Sequence, residues 1–292
     1  MTSVEVLSPG ALTTVQDLGR PGWAHIGVPR SGAADRPALR LANRLVGNED
    51  GAAALETTLA GPRLRFDGHA TVALTGAPVP ARLSGAELPM NVPFEVSAGE
   101  ELRVGNARTG LRTYVAFGGG IAAPPVLGSA ATDILTGLGP EPLRRGDVLA
   151  LGAVAGGGRT FRPPAPHPPP PPGLPGYVVL RVIVGPRDDW FTAQSIKRLT
   201  AEAFCVQQAS NRIGIRLRGP GLERSRQGEL PSEGLVPGAI QVPSDGQPIL
   251  LLADHPTTGG YPVIAVLHSD DLPRAAQLRP GQELRFTAVG VS

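Results

Sequence analysis

The chain has 292 residues, 41% of them hydrophobic and 18% charged, with a formal net charge of +2. That is enough apolar material for one large folded domain or two ordinary ones, and no dense basic run or aromatic-interleaved patch marks a nucleic-acid binder. No stretch approaches 18 consecutive apolar residues, the N-terminus shows no charged-then-apolar leader pattern, and the single Cys205 excludes an internal disulfide and a cysteine-rich metal site, so the expected setting is cytoplasmic.

In chain order, the first notable stretch is TTVQDLGRPGWAHIGVPRSGAADRPAL (13–39), a glycine-broken loop that gathers Gln16, Asp17, Arg20, Arg30, Ser31, Asp35 and Arg36 ahead of a helix. Capping and surface ion pairs are one reading. An anion or partner loop at the helix N-terminus, using Arg20, Ser31, Asp35 and Arg36, is the other. The helix itself is well marked in DRPALRLANRLVGN: Ala38, Leu41, Ala42, Leu45 and Val46 recur at helical spacing, Asp35 can cap, Pro37 suits the first turn and Gly47 the C′ position. A strand is expected at LRTYVAF (111–117), followed by a glycine cluster.

Gly156-Gly157-Gly158 and PPAPHPPPPPGLP (163–175) then interrupt the pattern. Polyproline cannot donate ladder hydrogen bonds and runs as an extended semi-rigid helix, either a spacer or a ligand for a partner domain. The expected organisation is a first domain at 1–158, a proline-rich linker at 159–175 and a second domain at 176–292.

Beyond it, strands are expected at VVLRVIV (178–184), IGIRLRG (213–219) and PILLLAD (248–254), with a helix from Thr192 through Ile196 and Leu199 and another capped by Ser269. Lys197, the only lysine, reads as lying on the exposed face of the former. Cys205, in AFCVQQ, reads as a buried strand residue. Three segments echo one another: AGEELRVG (98–105), RRGDVLALG (144–152) and RPGQELRFTA (279–288) each place a turn glycine and a polar residue before an alternating strand. The five histidines show no metal-ligand spacing, and neither a GxSxG elbow, a Walker A loop nor a biotin attachment site is present.

The polar residues of the second half concentrate in three places. In SNRIGIRL, Asn211 and Arg212 can form a clamp for a carboxylate or amide. In LPSEGLVPGAIQVPSDGQP (230–248), Ser232, Glu233 and Gln241 stand out, Glu233 as a general base or amide acceptor. In LLADHPTTGGYPVIAV (251–266), Asp254 precedes Thr257, Thr258, Gly259, Gly260 and Tyr261. Positive φ at the two glycines would aim successive N–H groups at one point, as needed for a carboxylate, phosphate or developing oxyanion. A buried network that ties loops together is the alternative reading.

The run SEGLVPGAIQVPSDGQPILLLADHPTTGGYPVIAVLHSDDLPRAAQLRPGQELRF resembles the signature of the allophanate hydrolase subunit 2 family, also called biotin-dependent carboxyltransferase-like proteins. VQDLGRPGWAHIGVPRSGAADRPALRLANRLVGN, GLRTYVAFGGGI, LGSAATD and SNRIGIRL extend the likeness over nearly the whole chain. The resemblance implies a mainly β chain with two tandem cyclophilin-like β-barrel domains and a few short helices. It also implies a heteromer with a subunit 1 (B-type) protein, with a third, LamB/YcsF-type protein when the complex is the ATP-dependent 5-oxoprolinase.

On that reading ATP is used at the level of the complex, no biotin is attached to this chain, and no metal site is evident. Glu233 and Asp254 would be catalytic, and Asn211, Arg212, Ser232, Gln241 and residues 257–261 would bind a small amide substrate, Arg212 through its carboxylate. Two other implied functions are carboxyl transfer from carboxybiotin to urea or a related amide, and antagonism of a kinase inhibitor without catalysis. Many members carry lysine where this chain has Val263; strand alternation there predicts apolar packing.

Overall fold

Residues 2–153, 177–226, 228 and 230–290 are described by a computed structural model. The proline-rich linker expected at 159–175 lies outside them. The described residues of Met1–Arg20 and Ser31–His167 form one unit, and those of Pro21–Arg30 and Pro168–Ser292 another. By contact, therefore, 21–30 groups with the second unit, although its sequence position lies in the first half.

The fold is mostly β with few short helices. The first unit has a six-stranded sheet, in the order Val148–Ala150, Ser3–Ser8, Arg63–Phe66, Glu101–Val104, Ala81–Leu83, Ala86–Leu88, and a five-stranded sheet, in the order Leu12–Gln16, Ala54–Thr58, Arg112–Phe117, Ala70–Gly76, Phe94–Val96. Alternation builds the core between them: Val4, Val6, Leu64, Phe66 and Leu102 meet Val15, Leu55, Val72, Leu74, Val115 and Phe117. The central strand Arg112–Phe117 is buried along its whole length because its other face, Tyr114 and Ala116, lies under the helix Arg36–Leu45. That helix forms as its sequence dictates, with Asp35 Oδ1 accepting from Ala38 N at 3.1 Å and Gly47 left-handed beyond its end.

The second unit closes into a seven-stranded barrel, in the order Val178–Val184, Val263–Leu267, Ala239–Gln241, Ile249–Leu251, Gly214–Arg218, Ala203–Val206, Glu283–Ala288. The last strand completes it by pairing in parallel with the first. Leu180, Val182, Phe204, Ile215, Leu217, Ile240, Leu250, Ile264, Leu284 and Phe286 fill the interior. Barrel closure, expected in both halves, is thus seen in the second, whereas the first distributes its strands between two sheets.

Thr192 caps the helix Ala193–Ala201 through Ser195 N at 3.1 Å. Ser269 caps nothing: it opens a 3-10 turn, and the structural anchor there is Asp271, whose carboxylate takes Arg181 N, Nε and Nη2 at 2.7, 3.1 and 2.8 Å.

The three echoed segments share one piece of backbone chemistry. Gly99, Gly146 and Gly281 are all left-handed, and their N–H groups donate to Phe66 O, Val6 O and Val206 O at 2.8 Å before each chain enters its strand. A side chain at these positions would force L-residue geometry into an unfavourable region.

Candidate functional site

The second unit brings the two polar loops together in a short antiparallel ribbon outside the barrel sheet. Glu233–Gly234 pairs with Thr258–Gly259, Glu233 opposite Gly259 and Gly234 opposite Thr258, and Leu235 N extends the pairing to Thr257 O at 2.9 Å. Beneath it lies Gln241, which is buried and donates from Nε2 to Tyr261 O at 3.0 Å. This bond fixes the main chain of Tyr261, whose ring is half exposed. Among the described residues the hydroxyls of Ser232, Thr257, Thr258 and Tyr261 make no hydrogen bond within the chain, and all but that of half-buried Thr257 belong to exposed residues. They are available to a ligand.

The glycines serve a different purpose from the expected one. Neither Gly259 nor Gly260 is left-handed, so the pair does not form the anion nest inferred from sequence. Gly259 is tightly packed instead: a Cβ there would lie 2.9 Å from both Gln241 Nε2 and Leu235 Cδ1, so those side-chain ends would have to shift. At Gly260 it would approach Leu230 O to 3.2 Å. Close packing of the ribbon on Gln241 and Leu235 is what these residues permit.

Glu233 joins the ribbon, but its carboxylate is held by Arg187, with Nε to Oε2 at 2.9 Å and Nη2 to Oε1. The Arg187 hydrogen bond holds the Glu233 carboxyl below its ordinary range, against a smaller opposing effect of burial. Glu233 is thus a paired anion in this chain, its carboxylate oxygens engaged by Arg187 where the sequence alone leaves them free to act as a base. Arg187, which no motif marks, is placed by its N–H to Val263 O at 3.0 Å. Val263 itself is buried with Ala239 and Leu251, as strand alternation predicts.

Arg212 and Asp254 are a second correction. Their side chains are 1% and 0% exposed and joined by two hydrogen bonds, Nε to Oδ2 at 2.8 Å and Nη2 to Oδ1 at 2.9 Å. Asp254 N also donates to Arg212 O at 3.0 Å. With both charges out of water and spent on each other, Arg212 is not presented to a substrate carboxylate and Asp254 is not a solvent-facing catalytic acid. The pair ties the continuation of strand Ile249–Leu251 to the start of Gly214–Arg218. Asn211, next to it, is exposed, and its Oδ1 accepts from Ile213 N at 2.8 Å and Gly214 N at 3.3 Å. That is turn chemistry, not a clamp.

In the first unit the loop before the helix is also committed internally. Arg20 is buried and donates from Nε to Val126 O at 3.3 Å and from Nη2 to Ala131 O. Ser31 is buried and donates to Thr132 O at 3.2 Å. Asp35 N donates to the Tyr114 hydroxyl at 2.8 Å, which donates to Glu56 Oε2 at 2.6 Å, and Ala34 N reaches the same oxygen at 2.9 Å. Burial above all, then the charges of Glu56 and Asp35, raises the Tyr114 phenol well above its ordinary pKa. The helix N-terminus is therefore satisfied by the chain's own carboxylates, which corrects the expected anion site there; Arg36 is its half-buried first residue. Glu56 carries a sequence signal that could have been read, a lone acid inside the strand ALETT. Among the described residues no group of three or more His, Cys, Asp or Glu could hold a metal ion, and no helix is long and apolar enough to cross a membrane.

Residues 26–288 match the model of the carboxyltransferase domain, subdomain A and B. The chain belongs to this family. Among its relatives is the C-type subunit of 5-oxoprolinase from Escherichia coli, 38% identical over 286 residues, covering 97% of this chain and 90% of that one. The urea amidolyase of Saccharomyces cerevisiae is 35% identical across 99% of this chain, which spans only 17% of that protein. In structure, the urea carboxylase of Kluyveromyces lactis superposes with a TM-score of 0.91 at 34% identity, covering 99% of this chain and 27% of that one. The carboxyltransferase fold thus occurs both as a separate polypeptide and as a minor part of a much longer enzyme.

Proposed function

We propose that this chain is the C-type subunit of a heteromeric, ATP-dependent amide-processing enzyme that converts 5-oxoproline to glutamate and is active only with its partner subunits. The observation that carries this reading is the end-to-end match to the C-type subunit of 5-oxoprolinase, 97% of this chain against 90% of that one. The urea amidolyases devote most of their length to regions outside the match, and carboxyl transfer from carboxybiotin to urea is the second reading, favoured by the family's carboxyltransferase name. The partners on the first reading are a subunit 1 (B-type) protein and a LamB/YcsF-type protein.

The ribbon is the substrate edge in this account. The hydroxyls of Ser232, Thr257, Thr258 and Tyr261 supply hydrogen bonds to the amide and carboxylate of a small cyclic substrate, and Gln241 positions the Tyr261 main chain. Arg187 and Glu233 form its charged rim. The test is ATP hydrolysis dependent on 5-oxoproline, measured on the co-expressed complex with and without this chain. Turnover that requires the chain supports the proposal. An assembled complex without turnover on 5-oxoproline refutes it, and turnover on urea with a carboxylated biotin carrier would then establish carboxyl transfer. Partner binding with no turnover on any amide would leave the non-catalytic regulator.

A further inference from the structure

The second unit carries a cleft of about 520 Å³ that the ribbon does not use. One wall is the strand Gly214–Arg218, whose alternation turns Ile215 and Leu217 into the barrel core and Arg216 and Arg218 outward into the cleft. Two residues apart on one face, the arginines are separated by about 6.6 Å along the strand, two steps of roughly 3.3 Å. Both are exposed, and among the described residues neither guanidinium makes a hydrogen bond, an ion pair or a ring contact. Other arginines of this unit are engaged: Arg181, Arg187, Arg198, Arg212 and Arg226 by carboxylates, and Arg285 by the Tyr177 ring.

Among the described residues Asp245 is the one acid lining the cleft, and its Oδ1 accepts from Gln247 N at 3.0 Å. Two arginines against one aspartate leave the lining positive. The opposite rim is rigid, because Gln247 is pinned to Gly219 by Oε1 to N at 2.9 Å and Nε2 to O at 3.3 Å. Ile249 and Pro248 give it an apolar patch. An adjoining cleft of about 560 Å³ shares Pro243 and Asp245 and adds Glu223, Arg224 and Arg226; Arg224 donates from Nη2 to Val242 O at 2.6 Å, and its buried Nε has no hydrogen-bond partner among the described residues.

We propose that the cleft at Arg216 and Arg218 binds a small ligand bearing two neighbouring phosphoryl groups. A guanidinium is a planar fork that meets phosphate oxygens in pairs, and two forks held on one strand face at this spacing engage two adjacent anionic groups better than one. The strand backbone is fixed by its inward leucine and isoleucine, so the ordering on binding is confined to the two exposed arginine side chains. The volume lies in the range of small-molecule sites, roughly 300–1,000 Å³, and the apolar patch can take an uncharged portion of the ligand. The proposal rests on the cleft alone and stands or falls separately from the reading of the ribbon.

The experiment is calorimetric titration of the full chain at physiological ionic strength with inorganic pyrophosphate, ATP, inorganic phosphate and glutarate. The same titrations are run on Arg216→Ala/Arg218→Ala, and on Arg103→Ala/Arg145→Ala, which removes equal charge from exposed positions of the first unit. Both pairs point into water, and circular dichroism checks that the fold is retained. Expected are saturable pyrophosphate binding, weaker binding of monophosphate and glutarate, and at least a tenfold loss in the cleft variant only. ATP binding tighter than pyrophosphate would identify a nucleotide as the source of the phosphoryl groups, and equal binding the inorganic diphosphate itself. Absence of saturable binding, glutarate binding as tight as pyrophosphate, or equal loss in the two variants would overturn the proposal.

Discussion

Replacing Asp254 by alanine should unfold the second unit far more readily while leaving the ribbon hydroxyls chemically intact. The magnitude follows from geometry: Arg212 and Asp254 are 1% and 0% exposed and doubly hydrogen-bonded, so the variant leaves a guanidinium buried without its carboxylate. Breaking such a pair costs about 3–5 kcal/mol, in line with about 4 kcal/mol for unit charges 4 Å apart at an effective dielectric of 20.

The chain provides its own reporter, since its two tryptophans, Trp23 and Trp190, both belong to the second unit. In urea, with a slope of about 2 kcal/mol per molar, the fluorescence midpoint should fall by about 1.5–2.5 M. Arg212→Met/Asp254→Leu should recover most of the loss, because apolar replacement of a whole buried pair is often neutral. A midpoint unchanged in Asp254→Ala, together with abolished turnover in the assembled complex, would refute this reasoning and return Asp254 to a catalytic role.

Gly259→Ala should destabilise the second unit by no more than about 1 kcal/mol, since its Cβ would displace the ends of the Gln241 and Leu235 side chains and meet no backbone atom; the same urea titration measures it. Tyr114→Phe should cost the first unit about 1–3 kcal/mol by leaving Asp35 N without its buried acceptor, seen as a lowered calorimetric transition. For Asp271, burial raises the pKa but the Arg181 side-chain and main-chain hydrogen bonds outweigh it, so the folded value lies below the ordinary one. The stability it contributes is therefore present above its unfolded pKa, near 3.9, and lost as pH falls through the lower folded value. Asp271→Asn should flatten that acid limb in fluorescence-monitored unfolding between about pH 5 and 2, and an unchanged limb would count against the assignment.

Where sequence and structure agree, local chemistry decides the outcome. The helix Arg36–Leu45 carries its cap, first-turn proline and terminal glycine within fourteen letters, DRPALRLANRLVGN. The three turn glycines before Glu101–Val104, Val148–Ala150 and Glu283–Ala288 repeat one conformation. The meeting of Glu233 with Gly259, and of Gln241 with Tyr261, was legible only as two polar loops in one half of the chain. Their register is set by long-range pairing.

The misreadings share a cause, because sequence lists polar groups without saying which partner each one meets. Arg212 and Asp254 stand 42 residues apart and neutralise each other in the interior, and Arg187 reaches Glu233 from 46 residues upstream. Gly259 serves packing where a left-handed turn was expected, a distinction that only neighbouring atoms make.

The most direct measurement compares 5-oxoproline-dependent ATP hydrolysis of the reconstituted complex carrying this chain unaltered or as Thr258→Ala/Tyr261→Phe. Both hydroxyls belong to exposed residues and are unbonded among the described residues, so folding should be unaffected. With about 1 kcal/mol lost for each missing hydrogen bond, turnover per assembled enzyme should fall about tenfold or more. Undiminished turnover in a fully assembled double variant would contradict the assignment of the ribbon as the substrate edge.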